Sequence, residues 1–152
     1  MKQYNFQYCQ KIIVLSKDKK EIFLCKRKGE ADYDGVFSFI GGKMENSDKT
    51  IIEGLKREKD EEVGINFKIK IYPNFCLNLY FTKSDGNAMI MPHYLAIHKT
   101  GEIDLNEEYS EYKWVKIDKL NEFEPKIPTI PHALKEILRL KQIAEEKEFV
   151  LI

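Results

Sequence analysis

The chain reads as short apolar runs of strand length, interrupted twice by segments of helical period. KIIVLS (11–16) and EIFLCKR (21–27) are rich in β-branched and apolar residues and flank the polar KDKK, so they predict a hairpin. GVFSFI (35–40) predicts a short strand ending at Gly41-Gly42. FKIKIY (67–72) alternates apolar and polar residues, the period of a half-buried strand. NFCLNLYFT (74–82) and AMIMPHYLAIHK (88–99) predict two more strands around the turn KSDGN. Pro92 interrupts the second of these and has no N–H for a ladder, so an edge position or a bulge is expected there. EYKWVKI (111–117) is the last predicted strand.

The helical segments are Thr50 to Val63 and, after a Pro-rich loop, about Pro131 to Lys147. Thr50 and Glu53 form the capping-box pattern T-x-x-E, and Gly64 is placed to end the first helix. Its apolar positions Ile51, Ile52, Leu55 and Val63 fall on one broad arc, the expected core face. Strands, helix, strands, helix predicts an α+β fold, an α/β/α sandwich with a mixed sheet between helices, and one domain over residues 1–152.

The first helix carries an electrostatic problem. Glu58, Asp60, Glu61 and Glu62 crowd its C-terminal end, where the helix dipole prefers cations. Glu58, Glu61 and Glu62 are related by i, i+3 and i+4, so they converge within about 100° of one another. Each like-charged neighbour pair costs roughly 0.2–0.5 kcal/mol on an exposed helix. Arg57 can pair with Glu61, but one guanidinium does not balance three carboxylates. A hard divalent cation would, since Mg²⁺ and Mn²⁺ take carboxylate and phosphate oxygens. The plainer alternative is a solvated acidic helix end neutralised by nearby lysines.

Composition narrows the classes. The 152 residues include 25 basic and 25 acidic side chains, a formal net charge of zero. A balanced chain shows no general footprint for a nucleic-acid polymer or an anionic membrane. The three cysteines, Cys9, Cys25 and Cys76, lie far apart, which disfavours a disulfide framework or zinc site and suits a reducing compartment. The first eleven residues have no apolar leader segment and no run reaches membrane-spanning length, so the expectation is a cytoplasmic protein.

The stretch GKMENSDKTIIEGLKREKDEEVGI resembles the box of the Nudix hydrolases, G-x5-E-x7-R-E-U-x-E-E-x-G-U with U apolar. Gly42 opens it, and Arg57-Glu58, Glu61-Glu62, Gly64 and Ile65 fill its second half at the family spacing. The match covers about a sixth of the chain. It departs in three places. Asp48 stands for the early glutamate with one extra residue before Arg57, an insertion that falls in the loop before Thr50. Lys59 occupies an apolar position, where its stem can pack while the ammonium snorkels out or meets an acid. Ile40 replaces a frequent proline. The loop around Asp48 is where a difference from the family is expected first.

The resemblance implies a metal platform of Glu58, Glu61 and Glu62, joined by the Gly42 carbonyl, with Arg57 orienting the glutamates. It implies a further acid from the loop six residues before Trp114, which is Glu108, with Glu111 and Glu107 as alternatives. Arg27, with Lys26 and Lys28 beside it, follows a strand that borders the phosphate pocket in relatives, and Lys43 and Phe39 are further substrate-binding candidates. Phe37 and Phe39 share a strand face and suit core packing as well as base stacking. Tyr80 and His93 are candidate pocket residues, while His98 and His132 are expected at the surface.

The implied reaction is Mg²⁺-dependent (or Mn²⁺-dependent) hydrolysis of a nucleoside diphosphate linked to another group, a small-molecule substrate, with Glu61 or Glu108 taking the proton. A nucleoside triphosphate pyrophosphohydrolase of MutT type is favoured. Hydrolases of ADP-ribose, nucleotide sugars or dinucleoside polyphosphates, a nucleotide-sensing module of weak activity, and an acidic protein-interaction domain are the alternatives. A homodimer is compatible with the sequence.

Overall fold

The computed structural model describes residues 6–152. Residues 1–5, part of the segment read above as lacking a leader, lie outside the described range. The strands are β1 (Phe6–Tyr8), β2 (Lys11–Leu15), β3 (Glu21–Arg27), β4 (Phe37–Ser38), β5 (Lys68–Ile71), β6 (Leu77–Thr82), β7 (Ala88–Thr100), β8 (Tyr109–Lys116) and β9 (Val150–Leu151). The helices are α1 (Ile51–Val63) and α2 (Ile130–Ile143). The strands form one mixed sheet in the order β4-β3-β2-β7-β5-β9, with β1 and β6 also on β7 and β8 on β3.

Alternation along the central strands sorts the apolar residues into two layers. Ile12, Val14, Phe23, Cys25, Ile69 and Ile71 pack with Leu55 and Val63 of α1. Ile13, Leu15, Ile22 and Leu24 pack with Ile130, Ala133, Leu134 and Ile137 of α2. The sheet is therefore covered on both faces, and the expected helix–sheet–helix sandwich is what forms.

Several sequence expectations are refined. The hairpin of β2 and β3 closes at Leu15 and Ile22, but β3 pairs along its whole length with β8 on its other edge, and β2 runs parallel to β7. Only Phe37–Ser38 of 35–40 is a strand, with Ile40 held by an isolated bridge to Ile12. Pro92 is not at an edge. It lies in the middle of β7, the longest strand, and opposes Asn78 of β6. The Cys9 N–H donates to the Ile90 carbonyl, so the even-numbered residues of this stretch face β1 and β2. Pro92 meets the break between those two strands, paired at Tyr8↔Ile90 and Lys11↔His93, where no ladder bond is lost. Helix α2 stops at Ile143 rather than Lys147, because residues 146–148 make a single 3-10 turn that swings the chain back as β9 onto β5. β1 and β9 are too short to show an alternation.

Helix α1 starts as its capping pattern requires. Thr50 Oγ1 accepts from the Glu53 N–H at 3.1 Å, while the Glu53 carboxylate reaches back to the Lys49 N–H rather than to that of Thr50. Gly54, Leu55, Lys59, Glu62 and Val63 are the buried positions, and Ile52 packs partly buried against the same core. Of the expected core face only Ile51, 42% exposed, lies outside. At ~100° per residue the buried arc is centred near Leu55, with Lys59 about 40° to one side. Lys59 is wholly buried; its ammonium donates to the Phe67 carbonyl at 2.9 Å and pairs with Asp60.

Leu55, fully buried between α1 and the sheet, anchors the position of the acidic edge. Leu55→Ala is expected to cost about 2–5 kcal/mol of stability, read as a lower urea midpoint at unchanged m-value.

Candidate functional site

The acidic edge of α1 meets the loop at Gly41-Gly42. Gly41 has φ 127° and its ideal Cβ would overlap the Gln10 carbonyl, so a side chain is excluded both by conformation and by space. A Cβ on Gly42 would overlap the Glu58 carboxylate. The missing side chains let two acids approach backbone. Glu62, 3% exposed, accepts from the Gly41 N–H at 2.7 Å. The Gly42 carbonyl accepts from the Gln10 N–H at 2.9 Å.

The far end of the helix is closed by the next acidic loop. The carbonyls of Val63 and Glu62 accept from the N–H groups of Asp104 and Asn106 at 2.9 and 3.1 Å. These bonds use helix-end carbonyls that would otherwise be orphaned, and they dock residues 101–108 against the acids. Glu108 is held further by its own N–H on the Asn106 side chain at 3.0 Å and by its carbonyl accepting from Lys28 N at 2.9 Å.

Arg57 ties loop and helix together. Its Nε and one terminal nitrogen grip both oxygens of Asp48 at 2.9 Å, and that same nitrogen donates to the Lys43 carbonyl at 3.0 Å. The other terminal nitrogen reaches Glu58 at 2.9 Å and Glu61 at 3.4 Å. The Asp48 oxygen also accepts from the Glu45 N–H at 2.8 Å. Arg57 first, and Glu45 N second, hold the Asp48 carboxyl down to about 2. The loop insertion therefore keeps an acid on the arginine: a shorter side chain on a longer loop makes a two-pronged contact.

The carboxylates strain against one another. Burial pushes Glu62 up to about 8, opposed by Lys11 and the Gly41 N–H and reinforced by Glu58 and Glu108. Burial also raises Glu58, against the pull of Arg57, with Glu61 and Glu108 adding to the rise. Glu58, Glu62 and Glu108 line one end of a cavity of about 700 Å³. Glu61 is not among its lining residues; it stands outward beside Arg57 with its side chain 56% exposed. On the wheel it falls ~100° from Glu62, with Glu58 between them.

Of the predicted substrate residues, Arg27, Phe39, Lys43, Tyr80 and His93 all line this cavity. Arg27 is braced by the Asp32 carbonyl at 3.2 Å and by Glu30 at 3.3 Å. Phe39 is buried, edge-on to His93 at 5.8 Å. Burial lowers His93 to about 4, with its Nδ1 2.8 Å from the Met91 carbonyl, so the imidazole is neutral. Phe37 packs edge-on against Phe123 at 5.0 Å instead. Lys26 and Glu111 pair with each other at 3.5 Å, Glu107 and Lys28 are exposed, and neither pair reaches the cavity. His132 is exposed as expected, but His98 is half-buried, stacked on Phe67 at 4.8 Å.

Lys11, Lys83 and Tyr33 were not singled out in the sequence, yet they line the cavity. Lys11 donates to the Gly41 carbonyl at 3.3 Å. Its signal was available: it precedes Ile13 and Leu15 on the same strand face, a cation at the head of an apolar row. Lys83 and Tyr33 sit on loops, where no periodicity marks them.

Among the described residues no three His, Cys, Asp or Glu side chains form a closed metal cage. The donors nevertheless suit a hard divalent cation: they are oxygen ligands only, they repel one another, and Glu62 has a carboxylate buried against a single N–H. Glu58, Glu62 and Glu108 are the candidates to hold it, with Glu61 at the rim.

The Glu62 environment predicts a pH dependence without metal. The folded carboxyl keeps its proton to about 8, whereas the unfolded one loses it near about 4.3. The unfolded state then binds fewer protons across that window, so stability falls as pH rises from about 4.3 to 8. Melting midpoints in chelator should show this decline, and Glu62→Gln should flatten it.

A family model described as NUDIX domain matches residues 10–139. Among solved structures, the fold is similar to that of a MutT protein from Methanosarcina mazei Go1, with TM-score 0.73, 20% identity, and 93% of this chain and 99% of that one covered. It is also similar to a C. elegans Ap4A hydrolase, with TM-score 0.72, 13% identity, and 91% and 99% covered. The NUDIX domain of Shewanella oneidensis NrtR, complexed with ADP ribose, has TM-score 0.66 and 14% identity, with 94% and 90% covered. No curated protein sequence matches the chain. At these identities the solved structures speak to the fold, while the family rests on the model match over most of the chain. The chain belongs to the Nudix hydrolase family.

Proposed function

We propose that the protein is a metal-dependent pyrophosphohydrolase that cleaves the diphosphate linkage of a small nucleoside diphosphate derivative, with a nucleoside triphosphate as the favoured substrate. The observation that carries this reading is one cavity whose lining combines carboxylates, cations and an apolar, aromatic wall. Glu58, Glu62 and Glu108 converge at one end, while Phe39, Met89, Met91 and His93 form an apolar wall elsewhere. Lys11, Arg27 and Lys83 supply positive charge in the same cavity. Acids, cations and an aromatic wall together suit a cation, a phosphate chain and a base in that order.

Mg²⁺, or Mn²⁺ in its place, supplies neutralisation of the diphosphate charge and activation of water when bound. Glu58, Glu62 and Glu108 would hold it, with Glu61 joining from the rim. Arg57 keeps Glu58 aimed inward by its 2.9 Å bond. Arg27, already braced by Asp32 and Glu30, grips phosphate oxygens with its guanidinium. Lys11 fixes the Gly41 carbonyl and faces the same phosphates. The base rests on Phe39, with neutral His93 beneath it. Glu108 takes the proton from the attacking water, since it lines the cavity and Glu61 does not. The products are two phosphorylated fragments, such as a nucleoside monophosphate and pyrophosphate.

The NrtR domain, a fold relative complexed with ADP ribose, favours a second reading in which the cavity binds a nucleotide derivative without turnover. A panel of nucleoside triphosphates, ADP-ribose, nucleotide sugars and dinucleoside polyphosphates, assayed with Mg²⁺ and product identification, separates the two. Turnover of at least one is expected, with Glu108→Gln slower by about 10²-fold or more. Binding without any turnover by the unmodified protein decides for the second reading. Arg57→Lys is expected to lose roughly 10–100-fold in activity while its melting midpoint stays close to that of the parent, because a lysine does not reproduce the fork onto Asp48 and Glu58.

A further inference from the structure

A second cavity lies on the same sheet face, at the opposite end of α2. Its volume is about 530 Å³, and it is lined by Lys17, Lys19, Lys70, Lys99 and Lys141. These lysines come from four separate pieces of the chain: the β2–β3 turn, β5, β7 and the last turn of α2. One acid, Glu146, lines the cavity with them. None of the five lysines makes a salt bridge among the described residues, although Lys70 and Lys141 are half-buried. The nearby Asp18 is committed to its own turn, accepting from Ser16 Oγ at 2.6 Å and from Lys20 N at 3.0 Å.

Local rules explain part of this. Lys141 complements the negative end of the α2 dipole, and turn lysines are ordinarily solvated. They do not explain Lys70 and Lys99. Ile69 and Ile71 pack toward α1, so alternation turns Lys70 to the α2 face. Leu95 packs toward α2, and Lys99, the extra residue where the β5–β7 register shifts, lines the same cavity. Strand, turn and helix thus bring five lysines to the lining of one concavity, in a chain whose charges cancel overall.

We propose that this cavity is a second ligand site, for a small molecule carrying a chain of two or more phosphates. Five ammonium groups around a concave space match several negative charges held close together, and each lysine serves phosphate as a compact point charge. The concavity suits a small molecule, whereas a nucleic-acid polymer would need an extended basic stripe. Ile97, Ala144 and Phe149 give the cavity an apolar side, where the organic part of a nucleotide can rest.

The site shares two walls with the acidic cavity. Thr129 and Ile130 at the start of α2 line that one, and Lys141 and Ala144 at its end line this one. β7 contributes Met89, Met91 and His93 to the first, and Ile97 to Thr100 to the second.

The test is an amide NMR titration of the protein in chelator, with inorganic tripolyphosphate and, separately, ATP. Saturable shifts are expected at residues 17–19, 70, 97–100 and 141, with at least a ten-fold weaker dissociation constant in the Lys70→Gln/Lys99→Gln double variant. ATP shifts reaching Phe149 identify a nucleotide as the ligand; shifts with tripolyphosphate alone identify the inorganic chain. An Arg27→Gln variant, which removes a phosphate-gripping cation of the acidic cavity, should leave these shifts in place, which separates them from binding there. Shifts confined to the acidic cavity, shifts that never saturate, or unchanged affinity in a folded double variant overturn the proposal.

Discussion

A buried carboxylate accepting one backbone N–H is the contact on which the site's geometry depends. Glu62 reaches Gly41 N at 2.7 Å with almost no water around it. That bond is available because Gly41 adopts a positive φ and lies against the Gln10 carbonyl. It joins the end of β4 to the end of α1, elements distant in sequence. It also places a carboxyl where burial resists ionisation and holds the proton to about 8. A buried charge of this kind is expensive unless compensated. The structure compensates it partly, with Lys11 and one N–H, and the remaining deficit makes the site receptive to a cation.

Around that contact the fold divides labour. The core needs α1 against the sheet, and Leu55 and Val63 meet that need. The site needs one edge of the same helix kept polar. Lys59 stands within the buried arc and reconciles the two, with its stem in the core and its ammonium on the Phe67 carbonyl and Asp60. Arg57 performs a comparable task on the outer side, where one guanidinium fixes Asp48, Glu58 and the Lys43 carbonyl. The two departures from the family pattern thus sit in well-bonded positions. The loop insertion, where a break from the family was expected first, keeps its acid-to-arginine contact.

The two cavities show how neutrality overall hides segregation. Acids gather at the start of β7 and α2, with cations interleaved among them. Lysines gather at the other end of the same elements with little to balance them. Net charge carried no trace of this, because it sums over positions that only the fold separates.

Much of the fold was legible because periodicity is a local property. The apolar runs KIIVL and EIFLCKR, the alternation in KIKI, the T-x-x-E cap and Gly64 marked strands and helix α1 from neighbouring residues alone. The spacing of Arg57, Glu58, Glu61 and Glu62 marked the acidic edge in the same way. Tertiary structure decided what depends on distant partners. It put Pro92 at the gap between β1 and β2, brought β9 back onto β5, and turned His98 onto Phe67. It gave Glu62 its buried place while leaving Glu61 outside, a choice of ~100° around one helix that hinges on where the sheet lies. It delivered Glu108 to the acids through bonds from Asp104 and Asn106 to the end of α1. Lys83 and Tyr33 reach the cavity only through that long-range arrangement, for they sit on loops whose docking no local period encodes, whereas the face of Lys11 follows from the period of its strand.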